Sequence, residues 1–209
     1  MKETVKRIAG LGHVVQTELK AFTLEQLRDF VINAHFNLEK TKQTFAENPA
    51  LLNQAHKWNE NDYETAIQAA AQLGSVPIIE FLLEKGAPLE ICTAAVLGKR
   101  EEVERRLNQD PSMAKAVGAH GIPLLPHSVW SNDPDLVEMV YKRGATTGAD
   151  LALNNAIMRG NEEIIEWLVR NAGADVNSKN YRGKPLLAVA KERGNKRVIE
   201  LLERHGARD

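Results

Sequence analysis

The chain has little of several residue types, and each shortage excludes a class of protein. Its 209 residues include a single cysteine, Cys92, so an internal disulfide and a site built from several thiolates are both excluded. The formal net charge is −1, which gives no overall field to recruit nucleic acid or an anionic membrane. Uncharged apolar stretches such as residues 65–73 are too short to cross a bilayer. No apolar run of signal-peptide length follows residues 1–10, so a cytoplasmic protein is expected.

Aromatic residues are also scarce, at 5%, whereas hydrophobic residues together make up 43%. That hydrophobic content is enough to bury a core, and neither charge nor low complexity indicates disorder. Alanine and leucine are plentiful. This composition favours helices that pack closely through small side chains.

A unit of two short helices recurs along the chain. In its clearest copy, alanine and leucine at helical spacing lead to a stop at Gly74, and a second apolar stretch, with Ile78 and Leu82 on one face, stops at Gly86. One residue ends the first helix of each pair and serves below as its inter-helix mark. These residues are spaced 24, 34, 28 and 34 positions apart: Gly74, Gly98, Asn132, Gly160 and Gly194. A degenerate first copy places Asn37 at the glycine position. Two spacings match a period of about 33 residues, and the shorter ones require trimmed loops between repeats.

Several of these segments resemble the ankyrin repeat consensus. They are Asp175-Val-Asn, Gly173-Ala174, the unit from Thr65 to Gly74, and Pro185-Leu186 with Gly194-Asn195. The Thr-Pro-Leu-His tetrapeptide of that consensus is incomplete in every copy, with Thr65-Ala-Ile-Gln and Lys184-Pro-Leu-Leu as its nearest forms. The likeness covers residues 24–207, and the chain also resembles uncharacterised ankyrin-repeat proteins of prokaryotic type.

The predicted fold is all-α, a right-handed ankyrin-type solenoid of about six helix–loop–helix units. One helix pair cannot bury its own apolar face, so neighbouring pairs must stack. The predicted repeats cover residues 24–53, 64–90, 91–114, 122–145, 150–177 and 184–207, within a repeat domain of residues 23–209. Residues 1–22 are predicted to be an N-terminal extension, with either a short strand at Val14 and Val15 or the start of the first helix at residues 18–22.

Motifs of nucleotide binding and catalysis are missing: the sequence has no GxGxxG, no phosphate loop ending in Gly-Lys-Ser/Thr, no HExxH and no GxSxG. His120 and His127 form the one histidine pair of interest, and Asp133 or Asp135 could complete a metal site. The favoured interpretation places His120 in a hairpin loop and makes His127 a hydrogen-bonded helix residue. We therefore expect no catalytic, cofactor or metal-binding residues. Cys92 is expected to be a small buried hydrophobe.

A row of apolar residues emerges when the repeats are aligned. The resemblance implies that the two residues before each inter-helix mark lie on the concave surface of the stack, where ankyrin proteins usually carry variable, often polar residues. Here those positions include Phe36, Leu73, Leu97, Trp130 and Met158. An exposed apolar row predicts an interaction site. Alternatively, irregular loops or the N-terminal extension cover the row.

The hairpin loops add a rim to this face. The longest polar loop, residues 54–63, carries Trp58 and Tyr63, and its counterpart at residues 178–183 carries Tyr181. Aromatic side chains with a polar tip suit an interface. Trp58 or Tyr63 could instead anchor the loop over the first repeat.

These features predict a non-catalytic scaffold that binds an unidentified protein partner. The residues expected to contact the partner are Phe36, Trp58, Asn61, Asp62, Tyr63, Gln72, Leu73, Leu97, Trp130, Met158, Arg159 and Tyr181. A homodimer that buries the row, or a small-ligand, metal or catalytic site near His120 and His127, are the alternatives. Residues 178–209 carry a local net charge of +5, but Tyr181 is the one aromatic residue among them and gives no row of rings for base stacking, so no nucleic acid is expected.

Overall fold

Helices form most of the regular structure in residues 22–208, the part of the chain that the computed structural model describes. The strand or helix expected near Val14 lies outside the described residues. The helices are α1 (Leu24–Ala34), α2 (Leu38–Glu47), α3 (Ala66–Gln72), α4 (Val76–Glu84), α5 (Ile91–Val96), α6 (Arg100–Gln109), α7 (Leu124–Val129), α8 (Pro134–Lys142), α9 (Ala149–Arg159), α10 (Glu162–Asn171), α11 (Leu186–Arg193) and α12 (Lys196–Arg204). Taken in consecutive pairs they form repeats 1 to 6, and the predicted class of helical-repeat solenoid is confirmed. None of these helices is long and apolar enough to cross a membrane.

Local sequence signals set the helix boundaries. Thr23 accepts a hydrogen bond from the Gln26 backbone N–H at 3.1 Å, and the Gln26 side chain accepts one from the Thr23 N–H at 2.8 Å. This reciprocal pair satisfies two N–H groups at the start of α1. Asn132, predicted at a glycine position, does adopt a left-handed backbone with φ 62°. Asn37 differs: its φ is −123°, and its side chain caps α2.

The first helices of the repeats form one row, in which α1, α3, α5, α7, α9 and α11 each contact the next. The buried side chains form two adjoining clusters, one over residues 27–96 and the other over residues 91–207. Helix α5 contributes to both, since Ile91 belongs to the second cluster and Val96 to the first. Each repeat therefore buries its apolar face against its neighbours, as a solenoid requires.

The predicted polar loop before repeat 2 is a β-hairpin. Strand β1 (Ala55–Asn59) pairs antiparallel with β2 (Asp62–Thr65), with a bulge between Lys57 and Asn59. Single bridges mark the junctions before repeats 4 and 6, joining Val117 to Pro123 and Lys179 to Pro185. The junctions before repeats 3 and 5 are shorter. The 24- and 28-residue spacings in the sequence arise from these two junctions.

Although the consensus tetrapeptide is incomplete in every copy, side-chain hydrogen bonds link successive repeats at the turns between their paired helices. The Arg100 guanidinium at the start of α6 donates to both Asp133 carboxylate oxygens, at 2.7 and 2.8 Å. Asn161 donates to Asn132 Oδ1 at 2.9 Å, and so links the inter-helix turns of repeats 5 and 4. These side chains tie successive turns together along the stack.

Replacing Asp133 with alanine is expected to destabilise the fold by about 1–2 kcal/mol, because Asp133 is also the N-cap of α8. Partial burial acts to raise the pKa of Asp133, but hydrogen bonds from Arg100 and the α8 backbone lower it overall. A lowered folded-state pKa gives stability that is present above the ordinary value of 3.8 and lost as the pH falls through the folded value. Urea unfolding at pH 7 and at about pH 2.5 should therefore show the difference between wild type and variant shrinking in acid. Asp135→Ala, two residues away and largely exposed, is the matched control, and an equal loss in both variants would contradict the assignment.

Candidate functional site

Some side chains of the predicted apolar row are exposed to solvent, and others are partly buried against the core. Phe36, Leu73 and Met158 expose 69%, 47% and 37% of their surface, whereas Leu97 is half-buried against the core of residues 27–96. These residues lie at the ends of α1, α3, α9 and α5, on the side of the stack formed by the first helices. That side is called the concave face below.

Trp130 packs against repeat 2 and is also partly exposed. Its indole Nε1–H donates to the Gln72 carbonyl at 3.0 Å, so the ring of repeat 4 reaches across repeat 3 to repeat 2. The ring also covers Gly74, where an added Cβ would lie 2.7 Å from the indole Cδ2. Trp130 is half-buried as a result.

A cavity of about 390 Å³ opens on the concave face beside Trp130. Of the residues predicted to contact a partner, Gln72, Leu73, Trp130, Met158 and Tyr181 line it. Polar residues absent from the predicted set line it as well, including His127, Asn154, Asn155, Arg182, Lys184 and Glu192. This central cavity brings together repeats 2, 4, 5 and 6.

The wall of the central cavity holds two buried polar atoms, His127 Nε2 and Asn154 Oδ1, that find no hydrogen-bond partner among residues 22–208. His127 Nδ1 lies 2.8 Å from the Pro123 carbonyl, to which only a protonated Nδ1 can donate. Burial lowers the pKa of His127 overall, against that bond, which acts to raise it. The neutral ring therefore keeps a lone pair at Nε2. Both atoms are acceptors.

A second cavity, of about 370 Å³, lies beside the β-hairpin. His35, Trp58, Gln72, Leu73, His120 and Tyr181 line it. Gln72, Leu73 and Tyr181 also line the central cavity, so the two openings share a wall. Tyr181 is 82% exposed and stands over both.

A cluster of three titratable side chains adjoins the hairpin cavity. His35 and His120 line the cavity and Glu64 is fully buried, and each of the three places one atom within 4.8 Å of the others. Burial acts to lower the pKa of His35, but the hydrogen bond and charge of Glu64 raise it overall. The alternative that pairs His120 with His127 is not what the structure has: His120 bonds Asp62, whereas His127 bonds the Pro123 carbonyl and packs against Gly118. The hairpin loop carries His120 toward β2, whereas α7 holds His127 in the core.

The predicted rim divides into two groups. Trp58 and Asp62 point into the molecule, where Trp58 donates to Glu64 at 2.8 Å and Asp62 bonds His120 at 2.7 Å. Tyr63 is 51% exposed and Asn61 is exposed, but neither lines a cavity described above. Phe36, Leu97 and Arg159 also lie outside both cavity walls. The bond from Trp58 to Glu64 joins the two strands of the hairpin, which fits the interpretation of Trp58 as a loop anchor. The interpretation of Trp58 as a partner contact stays a prediction.

Four polar residues near the two cavities were absent from the predicted set, and the sequence gives only weak indications of them. His35 directly precedes Phe36 at an aligned concave position, and Glu64 directly precedes the helix cap Thr65. Asn154 and Asn155 are adjacent amides within an otherwise apolar first helix. A buried position for such polar residues indicates a structural or binding role. Cys92 is buried, and burial raises the pKa of its thiol to about 12, so it is a core residue rather than a nucleophile.

Comparison with known proteins agrees with this architecture. The family model for the ankyrin repeat matches residues 62–94 and 150–181. An ankyrin repeat protein of Rickettsia bellii (strain RML369-C) is 34% identical over 89 residues, which cover 40% of this chain and 49% of that protein. The chain contains ankyrin repeats.

Two further similarities lie within the same class. The I-Kappa-B like protein C2 of Microplitis demolitor bracovirus is 34% identical over 56 residues, 27% of this ankyrin repeat chain and 31% of the viral protein. The chain thus spans half or less of the length of the curated relatives it matches. The crystal structure of the human ASB11 ankyrin repeat domain aligns with a TM-score of 0.49 and 24% identity, covering 69% of each chain. Ankyrin repeats generally act as scaffolds for protein–protein interaction.

Proposed function

We propose that this ankyrin repeat protein is a non-catalytic scaffold whose central cavity holds an extended segment of a partner protein. The observation that supports it is one cavity wall that combines exposed apolar and exposed polar side chains. Leu73, Met158 and Tyr181 offer apolar surface, and apolar patches of this kind mark interaction sites. A cytoplasmic location, expected from the sequence, stays a prediction.

The polar side chains of the wall indicate the chemistry of the partner. Arg182 and Glu192 line the cavity and are exposed, so they can hydrogen-bond the backbone C=O and N–H groups of an extended segment. An apolar side chain of the same segment would lie against Leu73 and Met158. The cavity of about 390 Å³ is large enough for one or two such side chains, not for a folded domain.

The test compares proteins captured from a lysate of the source cell by three forms of the chain. Leu73→Glu/Met158→Glu places two charges in the cavity without touching Trp130, which the fold itself uses. Leu24→Glu is the matched control, because Leu24 is 78% exposed and lines neither cavity. We expect a partner that wild type and Leu24→Glu retain and that the double variant depletes by about 10-fold or more, since hot-spot residues carry most of the binding energy.

Equal recovery by all three forms, or no specific recovery by wild type, would contradict the proposal. The mass of the purified chain in solution supplies a further arm. If wild type is a dimer and the double variant a monomer, the occupant of the face is a second copy of this chain. That outcome would replace the partner segment with self-association.

A further inference from the structure

Three side chains that lie far apart in sequence converge at one point beside the hairpin. His35 is the C-cap of α1, Glu64 lies on β2, and His120 lies in the loop between repeats 3 and 4. His35 Nε2 is 3.3 Å from Glu64 Oε1, and His120 Nε2 is 3.5 Å from the same oxygen. All three atoms lie within 4.8 Å of one another.

The other ring nitrogen of each histidine already has an acceptor. His35 Nδ1 lies 3.1 Å from the Val31 carbonyl and 3.2 Å from that of Ile32, both of which can only accept. His120 Nδ1 lies 2.7 Å from Asp62 Oδ2. Each Nδ1 therefore carries a proton, and each Nε2 is directed inward. His35 Nε2 donates to Gln72 Oε1 at 2.9 Å, and a metal ion bound there would displace that proton. Partners of this kind fix the orientation of histidines that bind metals.

Glu64 is held in the same way. Its Oε2 accepts from the Trp58 indole at 2.8 Å, while its side chain is fully buried. The inward oxygen, Oε1, has no hydrogen-bond partner among residues 22–208, because its contacts with the two histidines lack hydrogen-bond geometry. A buried carboxylate oxygen in this state carries a large desolvation penalty unless a positive charge offsets it.

A cation at the centre of the three atoms satisfies all of them together. Ligands bound to zinc at about 2.0–2.1 Å in a tetrahedron lie roughly 3.4 Å from one another. The two separations from Glu64 Oε1, 3.3 and 3.5 Å, agree with that edge length, and the two histidine nitrogens lie within 4.8 Å of each other. Imidazole nitrogens favour zinc and similar transition metals over calcium and magnesium, which prefer oxygen ligands.

We propose that His35, Glu64 and His120 bind a divalent transition metal ion, with Zn²⁺ as the best match to two nitrogens and one carboxylate. The ion links α1, the β-hairpin and the loop that precedes repeat 4. Both histidines line the hairpin cavity, so the fourth coordination position faces it. Gln72 Oε1, 2.9 Å from His35 Nε2, is the nearest further oxygen, and a donor atom of a bound molecule is the other source. The proposal stands apart from the protein-binding function, since the central cavity does not need the ion.

The test is a zinc titration of tag-free chain, treated first with a chelator and then desalted. We expect one Zn²⁺ per chain by isothermal titration calorimetry, and a melting temperature that rises with zinc. Substituting Co²⁺ should give the visible absorption of a low-symmetry site. His120→Gln should weaken zinc binding by about 100-fold or more, as the loss of a ligand exceeds the loss of a supporting partner. Asp62→Ala, which removes only the hydrogen-bond partner of His120, should weaken zinc binding by about 10–100-fold.

Two control variants separate this site from surface histidines. His56→Gln alters the same hairpin, and His205→Gln alters the last repeat, where His205 contacts Glu166. Both should bind zinc as wild type does. Glu64→Gln replaces a buried group, so His120→Gln, in a partly exposed loop, keeps the test independent of any loss of folding. Absence of zinc binding, or equal binding by wild type and His120→Gln, would overturn the proposal and indicate that a proton holds the cluster together.

Discussion

Replacing Gly74 with alanine is expected to destabilise the fold by about 2–5 kcal/mol, one of the two largest single-residue effects that we predict. Two costs add. The backbone at Gly74 has φ 66°, which an L-residue adopts only with strain. The new Cβ would also lie 2.7 Å from the indole ring of Trp130, closer than real side chains approach.

Gly98→Ala is the matched control for this prediction. Gly98 has φ 65°, but a Cβ there would meet only Ser131 at an ordinary 3.6 Å. We expect a loss of about 1–2 kcal/mol from the backbone alone. Urea unfolding of both variants measures the difference, and Gly74→Ala in a Trp130→Ala background should cost no more than the control. An equal cost in both glycine variants would show that the indole yields freely.

Leu153→Ala is expected to destabilise the chain by about 2–5 kcal/mol, because it leaves a cavity in the core between repeats. Leu153 lies on α9, is fully buried, and belongs to the cluster that runs from repeat 3 to the last repeat. A solenoid has only nearest-neighbour interfaces, so a cavity at repeat 5 weakens its contacts with repeats 4 and 6 together.

Leu73→Ala is the counterpart on the concave face. Leu73 ends α3 with 47% of its surface exposed, so we expect a change within about 0.5 kcal/mol. Thermal and urea unfolding of both variants are the measurements. A comparable loss in both would mean that Leu73 is a core residue, and would remove it from the proposed binding surface.

The helical repeat was predictable because its signals are local. Apolar spacing, the caps at Thr23 and Thr65 and the stops at Gly74 and Asn132 each act within a few residues, and short-range geometry follows from short-range sequence. The β-hairpin at residues 55–65 was less accessible, because its polar sequence lacks a clear alternation of apolar residues.

The candidate site was only partly predictable. Leu73, Met158 and Tyr181 followed from aligning the repeats and from the hairpin loops, and they do line the central cavity. The same alignment predicted an exposed Trp130, but its ring reaches across repeat 3 and its indole N–H donates to the Gln72 carbonyl. That contact joins repeat 4 to repeat 2, and no pattern within one repeat encodes it.

By itself the sequence determined a stack of ankyrin-type helix pairs and the positions of their turns, and its resemblance to ankyrin repeats predicted which residues share one face. Only the tertiary structure decided what that face contains. It packed the ring of Trp130 across repeat 3, turned Trp58 and Asp62 of the hairpin inward, and placed His120 beside His35 and Glu64 rather than His127. The physical reason is distance along the chain: helix formation is local, whereas a cavity or a ligand cluster arises where three separate segments meet, at a separation that stacking alone sets.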